Sequence, residues 1–282
     1  MVLTDWKGPF DLPVCIRSGQ VFRWTKSGDD PELFEGVDGD NWYRLRWKGD
    51  AVEFIDRNAT GSFLSLFGLE SDPFPELLLR GPELAEAVSL HAGLRLMQPT
   101  SPEEVFFCFL CTANNSLHRI FPMCQKLADY GPWLASGFRR FPSPAEIMAI
   151  SPDELRLARF GYRAGSIPIA AAHVHARGEN WLASLKQATY DEARAELMAI
   201  HSVGPKLADC VCLYGLGFRE STPIDTHLWQ ALGRQYFPEW VGVPLSHSRY
   251  REAADFLRGR FGDLAGLAQL VLYHENMRRR TA

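Results

Sequence analysis

Three times between residues 101 and 154 the chain repeats one four-residue phrase: Ser101-Pro102-Glu103-Glu104, Ser143-Pro144-Ala145-Glu146 and Ser151-Pro152-Asp153-Glu154. In each, the serine hydroxyl can accept from an amide of a helix's first turn. The proline takes the first helical position, where a missing N–H costs nothing, and the glutamate three residues after the serine can close a capping box. A region punctuated in this way is a series of short helices. Caps and apolar spacing place helices at 83–92, 102–112, 117–130, 144–149, 152–159, 164–175, 190–199, 205–216, 226–234, 249–259 and 264–276.

Before about residue 76 the pattern is different. Val21-Phe22-Arg23-Trp24, Leu33-Phe34-Glu35-Gly36-Val37, Trp42-Tyr43-Arg44-Leu45-Arg46-Trp47 and Ala51-Val52-Glu53-Phe54-Ile55 are short aromatic and β-branched runs. Turn formers separate them, so an antiparallel meander is expected. The predicted architecture is α+β, with an N-terminal antiparallel β-sheet domain over 1–94 and a mainly α-helical domain over 95–282. No internal repeat, low-complexity tract or coiled-coil heptad interrupts it.

A chain of 282 residues, 46 % hydrophobic, can build one large core or two joined ones. Its net charge of −4 argues against a broad basic face for nucleic acid. It does not argue against an enzyme that grips DNA over a small area with backbone amides and a few arginines. No window approaches the roughly 20 apolar residues of a membrane span. Met1-Val2-Leu3-Thr4-Asp5-Trp6-Lys7 has no secretory pattern, so an intracellular protein without membrane attachment is expected. None of the six cysteines follows residue 212, which excludes a C-terminal iron–sulfur cluster. Cys108 and Cys111 share the CxxC spacing, but their apolar surroundings predict buried, reduced thiols.

The most informative segment is Leu197-Met198-Ala199-Ile200-His201-Ser202-Val203-Gly204-Pro205-Lys206-Leu207-Ala208-Asp209-Cys210. A helix ends near Ile200, a tight turn closes on Gly204, and Pro205 starts the next helix. Such a helix–hairpin–helix presents amides at a helix start, through Val203 and Gly204, to a DNA phosphate. Lys206 lies in the first turn, where the helix dipole disfavours a cation and favours the neutral, nucleophilic amine. Nineteen residues on, Asp225 precedes another helix; a carboxylate there can cap the helix and also stabilise an oxocarbenium-like sugar. On these residues alone a plain bundle corner, a surface lysine and a simple cap remain open.

Five segments in order carry a resemblance: Ser18-Gly19-Gln20-Val21-Phe22-Arg23-Trp24, Thr112-Ala113-Asn114-Asn115, Gly161-Tyr162-Arg163-Ala164, Val203-Gly204-Pro205-Lys206 and Pro223-Ile224-Asp225-Thr226-His227. Through them the chain resembles the 8-oxoguanine DNA glycosylases of the helix–hairpin–helix superfamily. The resemblance implies a bifunctional glycosylase/lyase acting on double-stranded DNA that contains oxidised guanine. Lys206 would attack the deoxyribose and form a Schiff base, with Asp225 supporting the step. Gly19 would accept a hydrogen bond from the N7–H of the oxidised base. Phe109, Cys210, Gln269 and Tyr273 would line the base pocket, and His227 would lie near the phosphate of the extruded nucleotide. Asn114, with Asn115 beside it, would fill the vacated space. Arg119 and Arg163 would read the orphaned cytosine while Tyr162 wedges the duplex. No redox cofactor or catalytic metal is implied, and a monomer is expected.

Five positions depart from the family pattern. His201-Ser202 replaces the usual Pro-Gly of the hairpin, Ser116 a frequent third Asn, and Tyr273 the usual Phe. Asn276 stands where an Asp often pairs with the histidine. Two other functions fit parts of the pattern. Glycosylases for alkylated purines work with the aspartate alone, so Lys206 separates them. A non-catalytic helix–hairpin–helix damage sensor would bind a lesion without cleaving it.

Overall fold

The computed structural model describes residues 1–58, 63–134 and 137–281. Five strands, β1 (Val2–Leu3), β2 (Trp24–Lys26), β3 (Leu33–Asp38), β4 (Asn41–Trp47) and β5 (Val52–Arg57), form one antiparallel sheet in the order β1-β5-β4-β3-β2. The expected meander is present as β2 to β5, and β1, two residues long, adds an edge that has no pattern to read. Gly36 on β3 is required by packing: a Cβ there would lie 2.0 Å from Trp24 Cδ2. The bare backbone lets the indole lie across the sheet, stacked on Tyr43 with ring centroids 5.4 Å apart.

The strand expected at 21–24 begins only at Trp24, because the residues before it leave the sheet. Phe22 packs edge-on against Phe109 and Phe121 in the helical body. Arg23 pairs with Glu104 at 3.0 Å. An apolar run that reads as a strand is instead a crossing between two cores.

The helices are α1 (Leu12–Arg17), α2 (Phe63–Leu66), α3 (Phe74–Arg80), α4 (Ala85–Leu90), α5 (Pro102–Leu110), α6 (Leu117–Ala128), α7 (Pro144–Met148), α8 (Pro152–Leu157), α9 (Arg163–Ala176), α10 (Trp181–Ser184), α11 (Tyr190–Met198), α12 (Pro205–Cys210), α13 (Thr226–Gln235), α14 (His247–Phe261) and α15 (Ala265–Thr281). All three predicted serines cap, but of the three only Ser143 closes a reciprocal box, with Glu146. Glu104 is drawn off by Arg23, and Glu154 by the Tyr130 hydroxyl. The helix predicted over 205–216 is two pieces, since Val211–Leu216 winds as a π-helical turn after α12. Gly215 in that turn sits against Val105 and Pro102, where a Cβ would come within 3.2 Å. Helices α1, α2, α3 and α10 are too short, or too interrupted by proline, to show a 3.6-residue period.

Two apolar clusters result. One joins Leu12, Phe34, Tyr43, Leu45, Phe63, Phe67 and Met97 beneath the sheet. The other runs from Phe22 and Phe74 through all the later helices to Leu272. The sequence pattern divides the chain at 94, yet Phe74, Leu77, Leu84 and Leu94 already belong to the second cluster. All six cysteines are buried and free.

Arg95 stands at the seam and is almost fully buried. Its Nη1 donates to the carbonyls of Lys7 (3.2 Å) and Pro9 (3.3 Å), and its Nη2 to those of Gly68 and Ser71. Its own carbonyl accepts from Gln20 Nε2 at 2.8 Å, which draws the segment after α1 onto the same point. Removing the guanidinium leaves buried acceptors unpaired, each costing about 1–3 kcal/mol. Arg95→Met is therefore expected to lower unfolding free energy by about 3 kcal/mol, read as a shift of the urea midpoint. A loss under about 0.5 kcal/mol would show that other donors serve those carbonyls.

Candidate active site

A cleft of about 1020 Å³ opens between the Ser18–Gly19 loop, the α5–α6 turn, the start of α12, the entry to α13 and the inner face of α15. It gathers most of the residues singled out from the sequence: Gly19, Phe109, Asn114, Asn115, Arg119, Gly204, Lys206, Cys210, Asp225, His227, Gln269 and Tyr273. Of the chain's six lysines, all among the described residues, Lys206 alone lines it.

Lys206 is the second residue of α12, after Gly204 as cap and Pro205 at the first position. Its Nζ lies 5.5 Å from the centre of the Phe109 ring. Phe109 is itself stacked flat on Tyr214, at 5.4 Å and 7°. One turn along the helix, Cys210 hydrogen-bonds the lysine; burial pushes its thiol up to about 11, with Lys206 pulling the other way. The thiol is therefore neutral at physiological pH and does not compete as a thiolate nucleophile.

Asp225 caps α13. Its Oδ1 accepts from the amides of His227 (2.9 Å) and Leu228 (2.8 Å), so Oδ2 is uncommitted by the cap. The carboxylate is half-buried in the cleft wall and fixed by backbone amides, which makes it a rigid anion. The Tyr273 ring meets His227 edge-on at 5.8 Å. Burial, with Asp225 and Cys210 adding to it, pushes the Tyr273 hydroxyl up to about 12.

Gly19 adopts φ +81°, a left-handed conformation that a side chain resists, and a Cβ would press on Leu117 at 3.2 Å. Its flanks are pinned. Ser18 Oγ donates to the Cys15 carbonyl at 2.6 Å, Gln20 Nε2 donates to Ser18 Oγ at 2.8 Å, and Gln20 Oε1 accepts from the Met97 amide at 2.9 Å. From α15 the His274 ring bonds the Ser18 carbonyl; burial, with His91 nearby, pushes its pKa down to about 4 and keeps it uncharged.

Three expected residues stand outside the cleft lining. Tyr162 is 64 % exposed and donates through its hydroxyl to the Ala113 carbonyl at 2.9 Å. Arg163 is buried, donates to the same carbonyl and stacks on the Tyr162 ring at 4.5 Å. Both are thus moored to the α5–α6 turn that carries Asn114. The Val203 side chain is buried and its amide donates to the Ile200 carbonyl within the turn (3.1 Å), so of Val203 and Gly204 it is Gly204 that is exposed. Asn115 lines the cleft, but its side-chain amide is engaged by the Cys111 carbonyl at 3.1 Å and its Oδ1 by the Ser116 amide at 3.1 Å. Ser202 takes φ +69°, the left-handed geometry for which the family's glycine is suited.

Ser18, Gln20, His274, Tyr214 and Met277 also bear on the cleft and were not expected from the sequence. Two of these had a visible signal. Tyr214 continues the four-residue ladder Lys206, Cys210, and Met277 continues Gln269, Tyr273. Tyr214 also orients the glutamine, whose Nε2 donates to its hydroxyl at 3.2 Å.

The fold is that of the helix–hairpin–helix DNA glycosylases. No family model matches the sequence. The chain is 30 % identical over 280 residues to N-glycosylase/DNA lyase OGG1 of Arabidopsis thaliana, an alignment covering 93 % of this chain and 76 % of that protein. Among solved structures, MBOgg1 in complex with a low-affinity DNA ligand superposes with a TM-score of 0.85 at 27 % identity, over 99 % of this chain and 96 % of that one. The Clostridium acetobutylicum 8-oxoguanine glycosylase/lyase bound to double-stranded DNA gives 0.84 at 22 % identity, over 99 % and 98 %, a likeness of fold. The chain belongs to the N-glycosylase/DNA lyase family.

The two roles of Asp225 can be separated. Asp225→Ala should cost about 1 kcal/mol of stability, whereas Asp225→Ser, which keeps a capping oxygen, should stay within about 0.5 kcal/mol of wild type. Urea unfolding of both variants checks this, and equal losses would deny the cap its structural part.

Proposed function

We propose that this N-glycosylase/DNA lyase excises 8-oxoguanine, preferentially opposite cytosine, from double-stranded DNA, with Lys206 as nucleophile. The observation that carries the reading is the placement of that lysine in one cleft with the Asp225 carboxylate, the Gly19 loop and the Gln269–Tyr273 face. Duplex DNA as substrate puts its work inside the cell.

A base inside a duplex is out of reach, so the lesion has to be extruded into the cleft. The Gly19 carbonyl offers an acceptor to N7–H, which oxidised guanine has. Ordinary guanine presents a lone pair there, and two acceptors would face each other unpaired. Tyr273 and Phe109 supply apolar surface for the purine, and Gln269, fixed by Tyr214, a hydrogen-bonding edge.

The uncharged Lys206 amine attacks C1′ of the sugar. The glycosidic bond breaks, its electron pair leaves with the base, and the charge developing on the ring is offset by the fixed Asp225 carboxylate. Loss of a proton from the nitrogen and opening of the ring give an imine between Nζ and C1′. Removal of a C2′ proton then expels the 3′ phosphate, with the departed base as proton carrier. Water frees the lysine. On the other strand, Asn114 and Arg119 face the vacated space. Arg163 reads the orphaned cytosine by exchanging the Ala113 carbonyl for the acceptors of that base.

The direct test is a gel with 8-oxoguanine opposite each of the four bases, run with and without alkali. Wild type should nick the cytosine-paired duplex without alkali. Lys206→Gln should abolish nicking, and Asp225→Ser should slow base release by about a hundredfold or more. Undiminished nicking by Lys206→Gln would refute the assignment, and release of 3-methyladenine in preference to 8-oxoguanine would move the substrate to alkylated purines.

A further inference from the structure

A second carboxylate lies three residues past the lysine, and nothing in the reaction uses it. Asp209 on α12 is wholly buried, the position in which an acidic group needs full compensation. It has that compensation. Oδ1 accepts from the Tyr190 hydroxyl and from Arg194 Nε on α11, each at 2.7 Å, and Oδ2 accepts from the Tyr250 hydroxyl on α14. The Tyr250 oxygen in turn accepts from the Ile224 amide at 3.3 Å, and Ile224 immediately precedes Asp225. A further strap joins the same two segments: Ser221 Oγ donates to the Asp209 main-chain carbonyl at 2.9 Å.

The helix that bears Lys206 and the segment that bears Asp225 are therefore tied together through one side chain and one carbonyl. Neither is joined to the other by a regular ladder, since α12 is six residues long and residues 217–225 form no helix or strand. We propose that Asp209 and Tyr250 are positioning residues that set the distance between the Lys206 amine and the Asp225 carboxylate. Tyr190 bonds the other oxygen of the same carboxylate, Oδ1, and is hydrogen-bonded to Arg258 rather than to the 221–224 segment, which makes it the internal control.

The inference rests on the proposed roles of Lys206 and Asp225, and the test separates the two. Tyr250→Phe and Tyr190→Phe each remove one hydroxyl and keep the ring. Single-turnover base release, binding to a duplex with a non-cleavable lesion analogue, and the urea midpoint are measured for both beside wild type. Tyr250→Phe should slow base release about tenfold or more and leave binding within about twofold. Tyr190→Phe should stay within about threefold of wild type in release, whatever it loses in stability. If Tyr250→Phe does not fold, Ser221→Ala severs the second strap and should show the same split. Equal release by Tyr250→Phe and wild type, or equal losses in the two tyrosine variants, would overturn the inference and leave the function standing. Failure of wild type itself to release the base would overturn both.

Discussion

The guanidinium of Arg95 is buried, with Asp72 acting on it only through space, and its hydrogen-bond acceptors are in the backbone. An unpaired buried charge costs several kcal/mol, so four carbonyls from two separate stretches of chain converge on it. That convergence fixes the strap before α1 and the turn after α2, and through its own carbonyl it holds Gln20. Gln20 then braces Ser18, and Gly19 is left with its carbonyl in a defined place in the cleft wall. One face of the site thus depends on a polar contact buried in the seam between two cores, with His274 supporting the same loop from α15.

The other face is built around two carboxylates in contrasting surroundings. Asp209 is enclosed and bonded by three side-chain donors. Asp225 is half open, and the amides of α13 occupy one of its oxygens. The first suits a structural anchor and the second a charge that meets a reacting sugar. The neutral Cys210 thiol and the stacked Phe109–Tyr214 pair form a weakly polar wall beside the lysine. In the proposed reaction, a positive charge developing there would be offset chiefly by Asp225.

Much of this was legible in the residues. Serine–proline punctuation gave the starts of α5, α7 and α8 because caps are local. The hairpin lysine and the Asp225 cap were legible for the same reason. What escaped depended on distant partners. Val21-Phe22-Arg23 looks like a strand, but Phe22 is recruited by Phe109 and Arg23 by Glu104, some eighty residues away. The boundary at 94 follows the pattern of strands and helices, whereas Phe74 to Leu94 bury their side chains with the helical body. Arg95 and Asp209 gave no signal, since a buried charge is unmarked in sequence until its donors and acceptors are known. Arg163 was expected at the opposite strand's base, and in the free protein it is folded onto Ala113.

The proposed chemistry depends first on which amine is the nucleophile. Reaction of the protein with an 8-oxoguanine duplex in the presence of borohydride should give one stable DNA adduct. Digestion and mass spectrometry should place the added mass on Lys206 among the six lysines. An adduct on any other lysine or on the N-terminal amine, or base release with no trappable intermediate, would contradict it.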